Sequence, residues 1–143
     1  LQTGELSHFL GSSGEKFLGG KPILDLESNW SKKFDVKFSV SCNSWTSGLW
    51  LCIGSLDLEP GSEVIVSSWT MAATATTILH WNLVPVFADV ELDDMNISIN
   101  SIKKNLTSKT KAILPVHFAG RACKMKEIMK IARSKNWKKV QLL

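Results

Sequence analysis

Apolar and polar residues follow two alternating periods along the chain, and together they predict strands that run directly into helices. Residues Lys37–Cys42 alternate with period two, as a half-buried strand does, and the segment Asn43–Thr46 that follows contains amide and hydroxyl side chains suited to capping a helix. Helical spacing of apolar residues extends from Ser47 to Leu56, and a Pro-Gly turn separates it from the apolar run Glu63–Val66. This pattern is one strand–helix–strand step.

The same step repeats towards the C-terminus. The pattern predicts further helices over Met71–His80, Ser98–Leu106 and Lys124–Lys135, with strands over Val84–Ala88, Ala112–Val116 and around Val140. Strands that alternate with helices favour parallel pairing, so the expected fold class is α/β, with three αβα layers around a mainly parallel open sheet. Residues 1–143 are expected to form a single domain, in which residues 1–24 are an irregular, glycine-rich N-terminal arm.

The composition is that of an ordinary globular protein. Of the 143 residues, 44% are hydrophobic and 21% are charged, which excludes a disordered chain and a collagen-like repeat. No apolar run reaches the roughly 18 residues that a membrane span needs, and the polar first residues do not resemble a signal peptide. Three cysteines without a CxxC pair indicate neither a disulfide framework nor a zinc site. We therefore expect a soluble, cytoplasmic protein.

Charged side chains gather in two places, and both are predicted to be solvated surface. The net charge of +4 comes largely from C-terminal lysines, whose neighbours Met125, Ile128, Met129 and Ala132 repeat at helical spacing. That spacing favours an amphipathic helix with its lysines in water over a nucleic-acid site. The acidic residues at 89–94 lack the glycine and the spaced glutamate of a calcium loop, so no metal site is predicted.

The loop Asn43–Gly48 is the most informative candidate for a ligand site. In open parallel sheets ligands bind beyond the carboxyl ends of the strands, and this loop would lie there. Its hydroxyl groups and the free N–H groups of a helix N-terminus favour an anion such as a phosphate. Ser44, Trp45 and Thr46 are therefore candidate binding residues. Ordinary capping of the helix by Ser44 or Thr46 is the structural alternative.

Two further loops at the same edge carry candidate side chains. Trp69 and Met71 can lie over a planar ligand, because aromatic faces and sulfur both pack well against π-systems, and core packing under the next helix is the alternative. His117 ends a strand at the ligand edge and is a better chemical candidate than His8 or His80. The alternative for His117 is a histidine satisfied by backbone hydrogen bonds. The sequence assembles no Ser/His/Asp or Cys/His set.

Five segments, taken in order, carry a further signal. They are Phe17–Gly20, Cys42–Leu49, Glu59–Val66, Pro85–Val90 and Thr110–His117. Together they resemble the blocks of the DegT/DnrJ/EryC1/StrS family of sugar aminotransferases, and the likeness keeps the family's spacing from about Gly4 to Val140.

This resemblance implies a pyridoxal 5'-phosphate (PLP) enzyme with an aspartate aminotransferase-like large domain, of which residues 1–143 would be the N-terminal part. It implies transfer of an amino group, usually from glutamate, to a nucleotide-linked keto-sugar, by a homodimer in amino-sugar and polysaccharide biosynthesis. The family's phosphate-binding step falls on Trp45-Thr46, beside Ser44. The residue that stacks on the pyridine ring, usually aromatic in the family, falls on Met71, with Trp69 as a substitute.

Two groups that PLP chemistry needs, a Schiff-base lysine and an acid on the pyridinium nitrogen, have no counterpart in this chain. The resemblance puts the acid about where Leu143 stands and the lysine tens of residues later, while Lys111 begins a strand away from the ligand edge. Because residue 1 is Leu and the chain stops inside a predicted strand, we expect the sequence to be cut at both ends. No catalytic residue is predicted within it, and the chain alone is expected to be inactive. There are two alternatives. One is a non-catalytic α/β protein that binds a phosphate ligand or has a regulatory role, and the other is a PLP-dependent sugar dehydratase in which the lysine is replaced.

Overall fold

The structure, a computed structural model, describes Gly14, residues 17–135 and Trp137. These residues fall into two units, one ending at Asn43 and the other beginning at Ser44. The strand predicted around Val140 and most of the predicted arm lie outside the described residues. The expectation of a single domain stays a prediction.

The first unit contains a helix, α1 (Lys21–Phe34), that the sequence analysis does not predict. Pro22 lies in its first turn, where the N–H group that proline lacks would have no partner within the helix. Residues 21–24 are therefore helical, and assigning them to an irregular arm is wrong. Asp35 follows the helix in the left-handed conformation, with φ of 51°.

The strand predicted at Lys37–Cys42 does not form. The segment is instead bound to α1, because Ser41 donates hydrogen bonds from its backbone N–H and its hydroxyl to Glu27 Oε1, at 2.7 and 2.9 Å. Phe38 and Val40, the apolar members of the alternating pattern, are 77% and 75% exposed. The strand prediction is wrong because side-chain bonds to a helix take the place of a sheet ladder.

The second unit is a parallel three-stranded sheet with helices on both sides. Its elements are α2 (Trp45–Gly54), β1 (Glu63–Ser67), α3 (Ala72–His80), β2 (Val84–Ala88), α4 (Ile99–Asn105), β3 (Thr110–Leu114), a 3-10 turn (Phe118–Gly120) and α5 (Met125–Ser134). The strand order is β2-β1-β3, and both pairings are parallel, as crossover helices require. Within the described residues, each helix is too short or too polar to cross a membrane.

The side chains of β1 divide the core in two, because successive strand residues point to opposite faces. Val64 and Val66 pack with residues of α2 and α3, while Ile65 packs with residues of α4 and α5. The first cluster also contains Leu49, Ile53, Ile78, Leu83, Ala112 and Leu114, and the second Ala88, Ile97, Ile102, Cys123, Ile128 and Ile131. The three-layer αβα fold with a parallel open sheet is thus confirmed.

Helix α5 is amphipathic, as its spacing predicts. Ile128, Ile131 and Ala132 are buried, whereas its basic residues at positions 126, 130 and 133 are exposed. The described part of the C-terminal basic cluster is therefore a solvated helix face, which confirms the sequence interpretation.

Candidate functional site

A cavity of about 550 Å³ lies at the carboxyl ends of β1 and β3. Its walls come from Trp45 and Leu49 of α2, from Trp69–Met71 after β1, and from Leu114–Ala119 at the end of β3 and beyond. The rings of Trp69 and Phe118 meet edge to face, with centroids 6.4 Å apart. Open parallel sheets bind ligands at this edge, and the largely apolar, aromatic lining suits a flat ring.

Three of the five predicted binding residues line this cavity. Trp45, Trp69 and Met71 are all exposed there, and Met71 keeps 76% of its surface accessible. The alternative that Trp69 and Met71 are core residues is therefore wrong. Thr46 lines a separate groove of about 360 Å³ between α2 and α3. Ser44 contributes to neither the cavity nor this groove.

The start of α2 shows how the polar loop is used. Ser44 is the N-cap, and its Oγ accepts a hydrogen bond from the Ser47 N–H at 3.1 Å. The capping alternative therefore holds for Ser44 and not for Thr46. An α-helix leaves its first amides without intrahelical partners, so the N–H groups of Trp45 and Thr46 point beyond the end of α2. Those amides and the helix dipole are suited to an anion beside the Trp45 wall of the cavity.

Hydrogen bonds fix the loop after β1. The Ser67 hydroxyl accepts from the Trp69 N–H and donates to the Trp69 carbonyl, each at 3.3 Å. The Ser68 N–H donates to the Ala88 carbonyl at 2.9 Å, and the hydroxyls of Thr70 and Thr74 lie 2.8 Å apart. The loop therefore holds Trp69 at the cavity by its backbone, without burying the indole.

Asn96 organises the loop after β3, and the sequence analysis missed it. Its side chain is 2% exposed, and its Oδ1 accepts from the Phe118 N–H at 3.1 Å and from the Cys123 thiol at 3.4 Å. Its Nδ2 donates to the carbonyls of Arg121 and Ala122, at 3.2 and 3.5 Å. Asn96 stands in an acidic loop with no periodic pattern, so the sequence does not indicate this structural role.

His117 has the backbone hydrogen bond of the structural alternative, while a chemical role for it stays a prediction. It lines the cavity, and its Nδ1 accepts a hydrogen bond from the Cys123 N–H at 3.1 Å. The single S–H proton of Cys123 is shared between Asn96 Oδ1 and the Val116 carbonyl, which lies 3.1 Å from the sulfur. Burial raises the pKa of this thiol, and the negative charge of Asp94 adds to the effect. Cys123 therefore has a structural role in this loop, through its backbone N–H and its buried thiol.

Other parts of the unit offer less chemistry. A larger cavity of about 810 Å³ lies at the amino ends of β1 and β3, between Leu56–Leu58 and Leu106–Lys111. Ligands of open sheets bind at the opposite edge. Across residues 17–135, His, Cys, Asp and Glu side chains form no cluster of three or more that could hold a metal ion.

Comparison with known proteins gives this geometry a context. The model of the DegT/DnrJ/EryC1/StrS aminotransferase family matches residues 7–141. The chain belongs to this family. Its cofactor is PLP, and solved structures similar to the chain include PLP and PMP forms. The expected family membership is confirmed.

Individual relatives extend the picture. The spore coat polysaccharide biosynthesis protein SpsC of Bacillus subtilis is 36% identical over 80% of the chain and 30% of its own length. A putative sugar aminotransferase of Streptococcus pneumoniae, in its PLP form, matches 82% of the chain and 30% of its own, with 29% identity and a TM-score of 0.77. The E. coli GDP-4-keto-6-deoxy-D-mannose-3-dehydratase with bound hydrated PLP matches 82% of the chain and 32% of its own, with 29% identity and a TM-score of 0.76. The chain spans about 30% of the length of the curated relatives it matches.

Proposed function

We propose that this chain is the N-terminal portion of the PLP-binding large domain of a sugar aminotransferase. The parent protein would transfer an amino group, with glutamate as donor, to the keto group of a nucleotide-linked sugar. It would act in the cytoplasm as a homodimer, in amino-sugar and polysaccharide biosynthesis. The observation that carries the proposal is the apolar cavity at the carboxyl edge of the sheet, bordered by the N-terminus of α2.

The residues at this edge fit the two parts of PLP. A cavity of about 550 Å³ with Trp69 and Met71 in its walls suits the pyridine ring. The amides of Trp45 and Thr46 suit the phosphate, and we assign its binding to Ser44, Trp45 and Thr46. PLP, when bound, supplies the electron sink for amino transfer.

The residues of this chain would then bind and orient the cofactor and would not perform the chemistry. The helix end holds the phosphate, the aromatic and thioether side chains limit the tilt of the ring, and the apolar walls exclude water. The lysine and the acid that PLP chemistry needs would come from the rest of the parent protein.

Expression of the reading frame that contains this chain tests the proposal. Incubation with PLP, glutamate and a GDP-linked 4-keto-6-deoxy sugar is expected to give an amino sugar, detected by mass spectrometry, together with 2-oxoglutarate. The 143-residue chain alone, mixed with PLP and borohydride, is expected to give no stoichiometric adduct at one unique lysine. A unique adduct with transamination by the chain alone would contradict the proposal.

The second candidate is a PLP-dependent sugar dehydratase, because the similar solved structures include such enzymes. The same incubation separates the two, since a dehydratase removes a hydroxyl from the sugar and leaves no nitrogen in it. A protein that binds PLP and yields neither product would be the non-catalytic alternative.

A further inference from the structure

His117 is held so that only one of its ring nitrogens is available to a ligand. Its Nδ1 accepts the Cys123 N–H at 3.1 Å, and an accepting nitrogen carries no proton. A neutral imidazole has its single proton on the other nitrogen, so this hydrogen bond selects the Nε2–H form. Among the described residues, no protein group accepts a hydrogen bond from this Nε2–H.

The backbone that makes this selection is itself fixed. Asn96, 2% exposed, binds the Phe118 N–H, the Cys123 thiol and the carbonyls of the two residues before Cys123. The donor to Nδ1 therefore cannot move away without breaking a buried network. His117 itself is exposed and lines the cavity with Trp69 and Met71.

We propose that His117 is a ligand-positioning residue that donates its Nε2–H to an oxygen atom of the planar ligand in this cavity. The inference rests on the proposed function, because it takes the ligand to be a pyridoxal derivative. Such a ligand offers acceptor oxygens on its ring and on its phosphate. His117 would fix the rotation of the ring within a cavity whose other walls are largely apolar.

A pair of substitutions separates the two nitrogens. His117→Gln puts an amide N–H near the position of Nε2 and loses the Nδ1 acceptor, whereas His117→Asn keeps an acceptor near Nδ1 and loses the Nε2 donor. The probe is pyridoxine 5'-phosphate, which has no aldehyde and cannot react with lysines. Its Kd for the 143-residue chain is measured by calorimetry, with phosphate-free pyridoxine as a second probe.

His117→Asn is expected to weaken pyridoxine 5'-phosphate binding by about 5- to 10-fold, the loss of one hydrogen bond, while His117→Gln stays within about twofold of wild type. Nitrogen-15 NMR of the wild-type imidazole is expected to show the proton on Nε2. If the two variants differ in affinity for pyridoxine as they do for pyridoxine 5'-phosphate, the acceptor is an oxygen on the ring. If they differ only for pyridoxine 5'-phosphate, the acceptor is an oxygen of the phosphate.

Three results would overturn the proposal. If His117→Asn binds pyridoxine 5'-phosphate as tightly as wild type and His117→Gln binds it more weakly, His117 serves only to accept the Cys123 N–H. If both variants bind equally, the Nε2 donor has no role, although the proposed cofactor cavity survives. If the wild-type chain binds neither probe, the cofactor cavity fails and this inference fails with it.

Discussion

The Oδ1 atom of Asn96 accepts the backbone N–H of Phe118 at 3.1 Å, across 22 positions of sequence. This bond joins the loop before α4 to the loop after β3, and both lie at the carboxyl edge of the sheet. Phe118 in turn contacts the exposed ring of Trp69. A buried amide therefore shapes one wall of the candidate cavity without contacting its interior.

Replacing Asn96 with Ala is expected to lower the free energy of unfolding by about 2–4 kcal/mol, because buried partners lose their hydrogen bonds. Urea denaturation of the chain measures the change, and the Phe118 amide is expected to exchange its hydrogen faster. Asn100→Ala is the matched control, since Asn100 is exposed on α4 and its replacement is expected to change stability by less than about 0.5 kcal/mol. Equal effects at both positions would contradict the network's role.

Local sequence patterns predicted the second unit well, because β1 is a short apolar segment buried on both faces and helices such as α5 bury one apolar face. The apolar run Glu63–Val66 lies between a Pro-Gly turn and a polar loop, and β1 spans Glu63–Ser67. Strand β2 has the predicted bounds, Val84–Ala88. Strand β3 begins at Thr110, two residues before its prediction, because a buried threonine does not register as apolar.

The first unit shows where such patterns are insufficient. Ile23, Leu26, Trp30 and Phe34 recur at helical spacing in α1, but Pro22 close after two glycines is typical of a loop and outweighed that spacing in the sequence analysis. The alternation at Lys37–Cys42 predicts a strand, but alternation cannot show whether a neighbouring strand is available. Hydrogen bonds to Glu27 decide the outcome there.

The candidate site was predictable only in part. Trp45, Trp69 and Met71 could be found because they follow the predicted strand ends or begin a helix. The role of Asn96 could not be predicted, because its contacts join loops more than 20 positions apart and leave no periodic signal. The tautomer of His117 could not be predicted either, because a backbone N–H selects it.

The effect of replacing Gly54 with Ala on the stability of the chain is expected to depend on Trp81 and to reverse when Trp81 is removed. A Cβ atom on Gly54 would approach the Trp81 ring closely enough to clash, while the Trp81 Nε1 donates to the Trp50 carbonyl at 2.9 Å. Gly54→Ala is therefore expected to destabilise the chain by about 1–3 kcal/mol, although alanine is the better helix former. In a Trp81→Ala background the same change is expected to stabilise by up to about 1 kcal/mol. Thermal or urea unfolding of the four proteins tests the reversal, and destabilisation in both backgrounds would contradict it.

The Cys123 thiol predicts a loss of stability at alkaline pH. Burial raises its pKa in the folded state, so the folded chain holds this proton more tightly than the unfolded chain does. The resulting stability is complete below the pKa of an unfolded thiol, about 8.5, and is lost as the pH rises towards the folded value. Unfolding free energies measured from pH 7 to 10 are expected to fall less steeply in Cys123→Ala. Identical slopes in the two proteins would refute this assignment.

Substitutions of Ser44 and Thr46 are expected to have different effects, because we assign helix capping to the Ser44 hydroxyl and cofactor binding to the Thr46 hydroxyl. Ser44→Ala removes the N-cap and is expected to lower the free energy of unfolding by about 1 kcal/mol. Thr46→Val leaves the cap in place and, in the parent protein proposed above, is expected to weaken PLP binding by about 1–2 kcal/mol through loss of a hydrogen bond to the phosphate. Equilibrium dialysis and urea unfolding measure the two quantities. A Thr46→Val protein with normal PLP affinity would remove the Thr46 hydroxyl from the site.

Met71 tests the assignment of the cavity wall that faces the ring. Because Met71 is 76% exposed, Met71→Ala is expected to change the stability of the apo protein by less than about 0.5 kcal/mol. In the parent protein the same change is expected to weaken PLP binding by about 0.3–1.5 kcal/mol, the range of a sulfur–aromatic contact. Met71→Phe, which restores an aromatic face, is expected to bind PLP at least as well as wild type. Met129→Ala, a methionine on α5 outside the cavity lining, serves as the control and is expected to leave PLP affinity unchanged. Met71 and Trp69 are both exposed in the same cavity, so Trp69→Ala provides the comparison. If Met71→Ala leaves PLP affinity unchanged while Trp69→Ala weakens it, the side chain that contacts the pyridine ring is the Trp69 indole and not Met71, because only the indole substitution then removes a contact with the ligand.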